Sequence, residues 1–149
     1  MKRLVPAVAT LATLASPALA DIDSVAADGS VAEVMDRLEA AVTEAGATVF
    51  ARVDHGEGAR SVEMELADSQ LLIFGNPQLG TLAMQQDIRA GLHLPLRMLV
   101  YSDPSGATQI AWVEPAEMFD DLEIDDDAEY LGKMERAMKG FADKAGTIR

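Results

Sequence analysis

His55 follows Asp54 directly and precedes Gly56-Glu57-Gly58. A histidine titrates near neutrality, and a carboxylate beside it can fix which ring nitrogen carries the proton. Placed at the end of a strand, this pair could act as a general base, with Asp54 or Asn76 assisting, or could touch a ligand at a pocket rim. The same residues also suit a solvated loop histidine, or one that caps the following turn. Gly75-Asn76-Pro77, with Gly80 and Thr81 close behind, forms the second group able to do chemistry. Asn before Pro is a turn former, and Gly permits a positive φ, so the stretch has a purely structural reading. In a site, Gly75 would let a ligand approach the backbone, and the Asn76 amide would both donate and accept. Thr81 could cap a short helix through about Gln86, whose free amides would suit an anion. His55, Gly75, Asn76, Pro77 and Thr81 are therefore the candidate ligand-binding residues, for a small polar or anionic molecule. They meet only if the fold brings the end of the His55 strand to the Gly75 loop.

Other chemistries find less support. His93 lies between leucines in Leu92-His93-Leu94-Pro95, which suits a half-buried histidine better than a metal ligand. The chain has 2 His and no Cys, so thiol catalysis and cysteine-ligated metals are excluded, and neither H-E-x-x-H nor a tight H-x-H pair occurs. Met134 and Met138 stand one helical turn apart, a spacing that could offer thioethers to Cu(I) but that equally suits core filling. Gly56-Glu57-Gly58-Ala59-Arg60-Ser61 lacks the third glycine of a dinucleotide-binding turn. The carboxylates of Asp120 to Glu129 lack the spacing of a calcium loop and read as a solvated acidic linker over 120–127, whose last acids meet the dipole of a following helix. No metal site and no cofactor is predicted, and no nucleophile stands out.

The setting of these residues is an exported, acidic chain. Lys2 and Arg3, an apolar run from Leu4 to Ala15 and the small-x-small Ala18-Leu19-Ala20 have the order of a signal peptide over 1–20, cleaved after Ala20. The run is too short to cross a bilayer as a stable helix, so the mature chain, 21–149, is expected to be periplasmic or secreted, with no membrane insertion after cleavage. Twelve Lys and Arg stand against 25 Asp and Glu, a formal charge of −13, and cleavage removes two of the cations. Such a surface repels nucleic acid and anionic lipid. Without disulfides, packing must hold the fold.

The elements follow from periodicity. Ser30-Val31-Ala32-Glu33 has the form of a capping box, and Val31, Val34, Met35, Leu38, Ala41, Val42 and Ala45 recur at helical spacing until Gly46. Thr48 to Asp54 alternates, with Val49, Ala51 and Val53 expected on one face and Phe50 and Arg52 on the other. Gln70 to Phe74 is apolar on both faces and suits the inside of a sheet. Leu96 to Ser102 and Thr108 to Val113 form a hairpin about Asp103-Pro104-Ser105-Gly106. A second long amphipathic helix spans 128–145. The prediction is one α+β domain, a two-layer sandwich in which two long helices cover one face of a mostly antiparallel sheet of about four to five strands.

The segments VFARVDH, LLIFGNPQLGTLAMQ and GLHLPLRMLVYSD, in this order, resemble the core of the domain of unknown function 302 family over about residues 31–115. The resemblance implies an α+β sandwich and a homodimer, and brings no agreed activity. It also implies a Tyr-Asn pair on the last strand, where this chain has Ala111-Trp112-Val113. Three functions stay open: binding of a small polar ligand, a hydrolase or isomerase using His55 as base, and a dimeric interaction or scaffold protein.

Overall fold

The computed structural model describes residues 22–148; the predicted signal peptide lies outside them. The first helix starts as its capping box requires: Ser30 Oγ accepts the Glu33 amide at 3.4 Å, and Glu33 Oε2 accepts the Ser30 amide at 2.9 Å. The helix α1 (Val31–Glu44) buries Val34, Met35, Leu38 and Val42 completely. Gly46 closes it with φ +77°, a left-handed conformation that glycine adopts without steric penalty.

Five strands form one antiparallel sheet in the order β1-β5-β4-β3-β2. They are β1 (Ile22–Ala27), β2 (Thr48–Asp54), β3 (Ser69–Gly75), β4 (Leu96–Ser102) and β5 (Thr108–Val113). Between β2 and β3 runs the short helix α2 (His55–Ser61); α3 (Pro77–Gln86) and a 3-10 turn (Ile88–Leu92) join β3 to β4. A single helical turn, α4 (Pro115–Met118), follows β5, and α5 (Glu129–Gly146) completes the described chain. Alternate residues of the middle strands, Leu72, Phe74, Met98, Val100 and Ile110, enter one core with the apolar stripes of α1 and α5. This is the predicted α+β sandwich, with both long helices on one face.

Three local expectations change. β1 is absent from the four predicted strands, because IDSVAA has only two large apolar residues and alternates weakly; pairing along β5 makes it a strand. In β2 the register shifts between Val49 and Ala51. A bulge of this kind inserts one residue and reverses the alternation beyond it. Val49 opposite Phe74 and Arg52 opposite Leu72 therefore share the helix-covered face, where Arg52 reaches Asp36 and Glu39 of α1. Ala51 and Val53 turn to the other face, so the predicted grouping of Val49 with both fails.

The acidic segment is also more than a solvated linker. Its carboxylates at Asp120, Asp121, Asp125, Asp126 and Asp127 are exposed, but Phe119 and Ile124 are buried. Its backbone is held by side chains from the end of α3 and the residue after it: Asp87 Oδ2 accepts the Glu123 amide at 3.2 Å, and Gln86 Oε1 accepts the Asp125 amide at 3.2 Å and the Tyr130 hydroxyl at 2.9 Å.

Candidate functional site

Asn76, in extended conformation, caps α3. Its Oδ1 accepts the Gln78 amide at 2.9 Å, and its carbonyl accepts the amides of Leu79 and Gly80, each at 3.0 Å. Pro77 at the first helical position has no N–H to satisfy. Every amide of the first turn is thus absent or already bonded, which leaves no donor set for an anion. Thr81, expected to begin the helix, sits inside it; Asn76 does the capping because Pro77 starts the helix four residues earlier.

The residues from Gly75 to Thr81 do frame a cavity, with a volume of about 350 Å³. It opens where the end of β3, the end of α1, α3, the approach to β4 and the middle of α5 come together. Phe50, Phe74, Met84, Leu94, Met134 and Phe141 supply its apolar wall. The Phe74 and Phe141 rings meet edge to face, centroids 5.7 Å apart, a preferred arrangement of aromatic quadrupoles. The wall continues through the cis Leu94-Pro95 bond. Among the lining residues only Asn76 and Thr81 have polar side chains, and none is charged. Asn76, Pro77 and Thr81 are exposed at the mouth. Two glycines stand beside this wall with room for a methyl group: a Cβ on Gly80 would lie 3.5 Å from Leu94 Cδ1, and one on Gly91 3.4 Å from Met84 Sδ, both ordinary contacts.

His55 does not belong to this cavity. In the antiparallel pair, Thr48 lies opposite Gly75 and Asp54 opposite Gln70. The end of β2 therefore adjoins the beginning of β3, a full strand length away from the loop that follows Gly75. Convergence of neighbouring strand ends would need a parallel pair. His55 is exposed as the first residue of α2, and Asp54 is engaged as that helix's cap, accepting the Glu57 amide at 2.7 Å and Gln70 Nε2 at 3.0 Å. A base at His55 consequently does not face this cavity. His93 is half-buried, its ring edge to face with Phe119, and Met134 and Met138 are both buried in the core stripe. Trp112, at the strand position where the resemblance implies a Tyr-Asn pair, is buried and donates from Nε1 to Glu114 Oε1 at 3.4 Å.

Gly75, Asn76, Pro77 and Thr81 thus share one rim, His55 lies away from it, and the apolar wall is outside the predicted set. Asn76→Ala should cost about 1 kcal/mol through the lost cap, whereas His55→Ala should stay within about 0.5 kcal/mol of wild type and leave pocket occupancy unchanged. Urea midpoints of the two variants decide this, and a larger loss at His55 would contradict the placement.

Beyond the cavity, Asp87 is the least exposed carboxylate of its region. Arg89 binds it with its guanidinium and its backbone N–H, and the Glu123 amide adds a third donor. The Arg89 contacts, against the effect of burial, hold the Asp87 carboxyl well below the usual carboxylate range. A folded-state pKa below the unfolded one, near 3.9, gives stability that is complete above about pH 4 and is lost as pH falls through the folded value. Asp87→Asn should therefore be less stable than wild type at neutral pH, with the gap narrowing below about pH 4. Unfolding by urea at both pH values measures it; a gap that stays constant would show that Asp87 does not act through its charge.

A family model, "Domain of unknown function DUF302", matches residues 23–141. The chain belongs to this family. A crystal structure of an uncharacterised DUF302 protein from Bacillus stearothermophilus superposes with a TM-score of 0.76 at 19% identity, over 83% of this chain and 97% of that one, which shows a common fold. Two curated relatives are 45% identical over 87 residues: the fluoride-specific ion channel FluC 1 of Brucella suis and FluC 2 of Brucella melitensis. The match covers 58% of this DUF302 chain but only 34% and 32% of those relatives, so the chain spans about a third of their length. Among the described residues no helix is long and apolar enough to cross a membrane.

Proposed function

We propose that this DUF302 protein holds one small apolar or amphipathic molecule in the cavity behind Gly75-Asn76-Pro77. The observation that carries the reading is the lining: aromatic, Met and Leu side chains, no charge, and only Asn76 and Thr81 polar. Its volume of about 350 Å³ lies within the range of ligand sites, which are mostly apolar with a few polar groups that orient the ligand. The Asn76 amide nitrogen and the Thr81 hydroxyl, the polar side-chain groups of the lining, would meet a polar end of the ligand. This reading replaces the polar or anionic ligand expected from the loop alone, since the amides that would hold an anion are bonded within α3. It also favours binding over catalysis by His55. Titration with an uncharged naphthylamine dye should show saturable binding that a medium-chain alcohol competes away and inorganic phosphate does not. Competition by phosphate, or no saturable binding, would refute it.

Export belongs to the same proposal and rests on the order of residues 2–20. The exported protein should begin at Asp21 on amino-terminal sequencing; a chain beginning at Met1 would contradict export. The likeness to part of two fluoride-specific channels supports a second reading, in which the domain works beside such a channel. A deletion strain with unchanged fluoride tolerance would argue against it.

A further inference from the structure

The cavity mouth lies in a stretch of the chain with almost no acid. Between Asp68 and Asp103 the sole carboxylate is Asp87, already bound by Arg89, and Arg97 adds a second cation. Residues 69–102 therefore sum to +1, two Arg against one Asp, in a chain of net charge −13. The same stretch carries the two most exposed large apolar side chains among the described residues, Leu92 at 81% and Ile88 at 77%. Both belong to the 3-10 turn that brings Gly91, between them in sequence, to the cavity wall beside Met84. Leu82, also exposed, follows the lining residue Thr81 on α3. Phe50 lines the cavity and is itself more than half exposed. Apolar side chains gathered at an opening mark a surface that meets another apolar surface.

We propose that these side chains dock the cavity mouth on a lipid bilayer, without spanning it, and that the cavity takes its molecule from there. The inference rests on the cavity reading above and adds the source of the bound molecule. A small apolar or amphipathic molecule partitions into bilayers and is scarce in water, so a carrier that meets the membrane mouth first avoids the aqueous step. Leu82, Ile88 and Leu92 then enter the headgroup boundary, as the apolar face of an interfacial helix does. Charge orients the encounter. The acidic remainder of the surface keeps its distance from an anionic membrane, and repulsion is least where residues 69–102 lie. Arg89, next to Ile88, brings a guanidinium toward the lipid phosphates. Zwitterionic lipid is the fitting surface, since anionic headgroups oppose the net charge of −13. Docking by a few side chains against that charge is weak and reversible, which suits pick-up and release.

Fluorescence tests the docking directly. The chain has no Cys, so Leu92→Cys and Asp126→Cys, the latter on the exposed acidic segment, each accept one polarity-sensitive label. Titrated with phosphatidylcholine vesicles, the label at 92 should brighten and saturate, and the label at 126 should stay unchanged. No rise at 92 would overturn the proposal and leave these side chains to a protein partner. Equal rises at both positions would overturn it by removing the orientation. A second measurement links docking to loading. The rate at which wild type takes an uncharged naphthylamine dye from the same vesicles should grow with protein concentration, as transfer by contact requires. In Ile88→Ser with Leu92→Ser it should fall at least about tenfold. Both changes lie on exposed side chains, so the fold and the dye affinity in water should stay as in wild type. An unchanged transfer rate in this double variant would overturn the proposal. A protein that docks but binds no dye refutes the cavity reading and the loading with it; one that binds dye but does not dock refutes this inference alone.

Discussion

Leu72→Ala and Leu38→Ala are each expected to destabilise the fold by about 2–5 kcal/mol. Both leucines are fully buried, Leu72 in the middle of β3 and Leu38 at the centre of the α1 stripe. They belong to the same core as Met98, Val100 and Ile110. Truncation removes three carbons from water-free packing and leaves a cavity that β3, paired on both sides, has little freedom to close. The loss is then the transfer free energy plus a cavity cost. The helix contributes in the same way, because its Arg37 Nε also donates to the Ala145 carbonyl at 2.8 Å and ties α1 to α5. Asp126→Ala, on the exposed acidic segment, should change stability by no more than about 0.5 kcal/mol. Urea unfolding of the three variants would decide it; neutral leucine changes would remove the core described here.

Gly80 gives the second large effect, because two substitutions there separate stability from binding. Gly80→Ala should stabilise the protein by about 0.5–1 kcal/mol, since glycine inside a helix is unfavourable and the added Cβ makes only an ordinary contact with Leu94. Gly80→Leu sends a side chain into the cavity between α3 and Leu94. The fold should survive, while affinity for an apolar dye should fall at least tenfold, roughly the loss of 1.4 kcal/mol. Unchanged dye affinity in a folded Gly80→Leu protein would mean that binding takes place elsewhere.

Much of this molecule is legible from residue types alone. The Ser30 capping box, the α1 stripe and the doubly apolar β3 are local patterns, and each element forms where its pattern lies. The Gly75-Asn76-Pro77 loop likewise marks the cavity mouth, because a cap and a proline must sit where a strand turns into a helix. Other features depend on pairing between distant segments. The bulge after Val49 leaves no mark in TVFARVD, yet it decides that Arg52 and not Ala51 faces α1. His55 lies beside Asp54 in sequence as a base would, but antiparallel pairing with β3 sends it to the far end of the sheet. The cavity wall is assembled from β2, β3, α3, the Leu94-Pro95 connection and α5, and its apolar residues resemble ordinary core residues until the elements meet. The Asp87 latch is equally invisible, since its third donor comes from Glu123, distant in sequence.

Native mass spectrometry of the protein purified from its own host bears most directly on the central claim. Wild type is expected to carry one extra small molecule per chain that extracts into organic solvent, and Gly80→Leu, folded, is expected to appear at the bare chain mass. Wild type at the bare mass throughout, or an adduct that is a small anion retained equally by Gly80→Leu, would contradict an apolar ligand in this cavity.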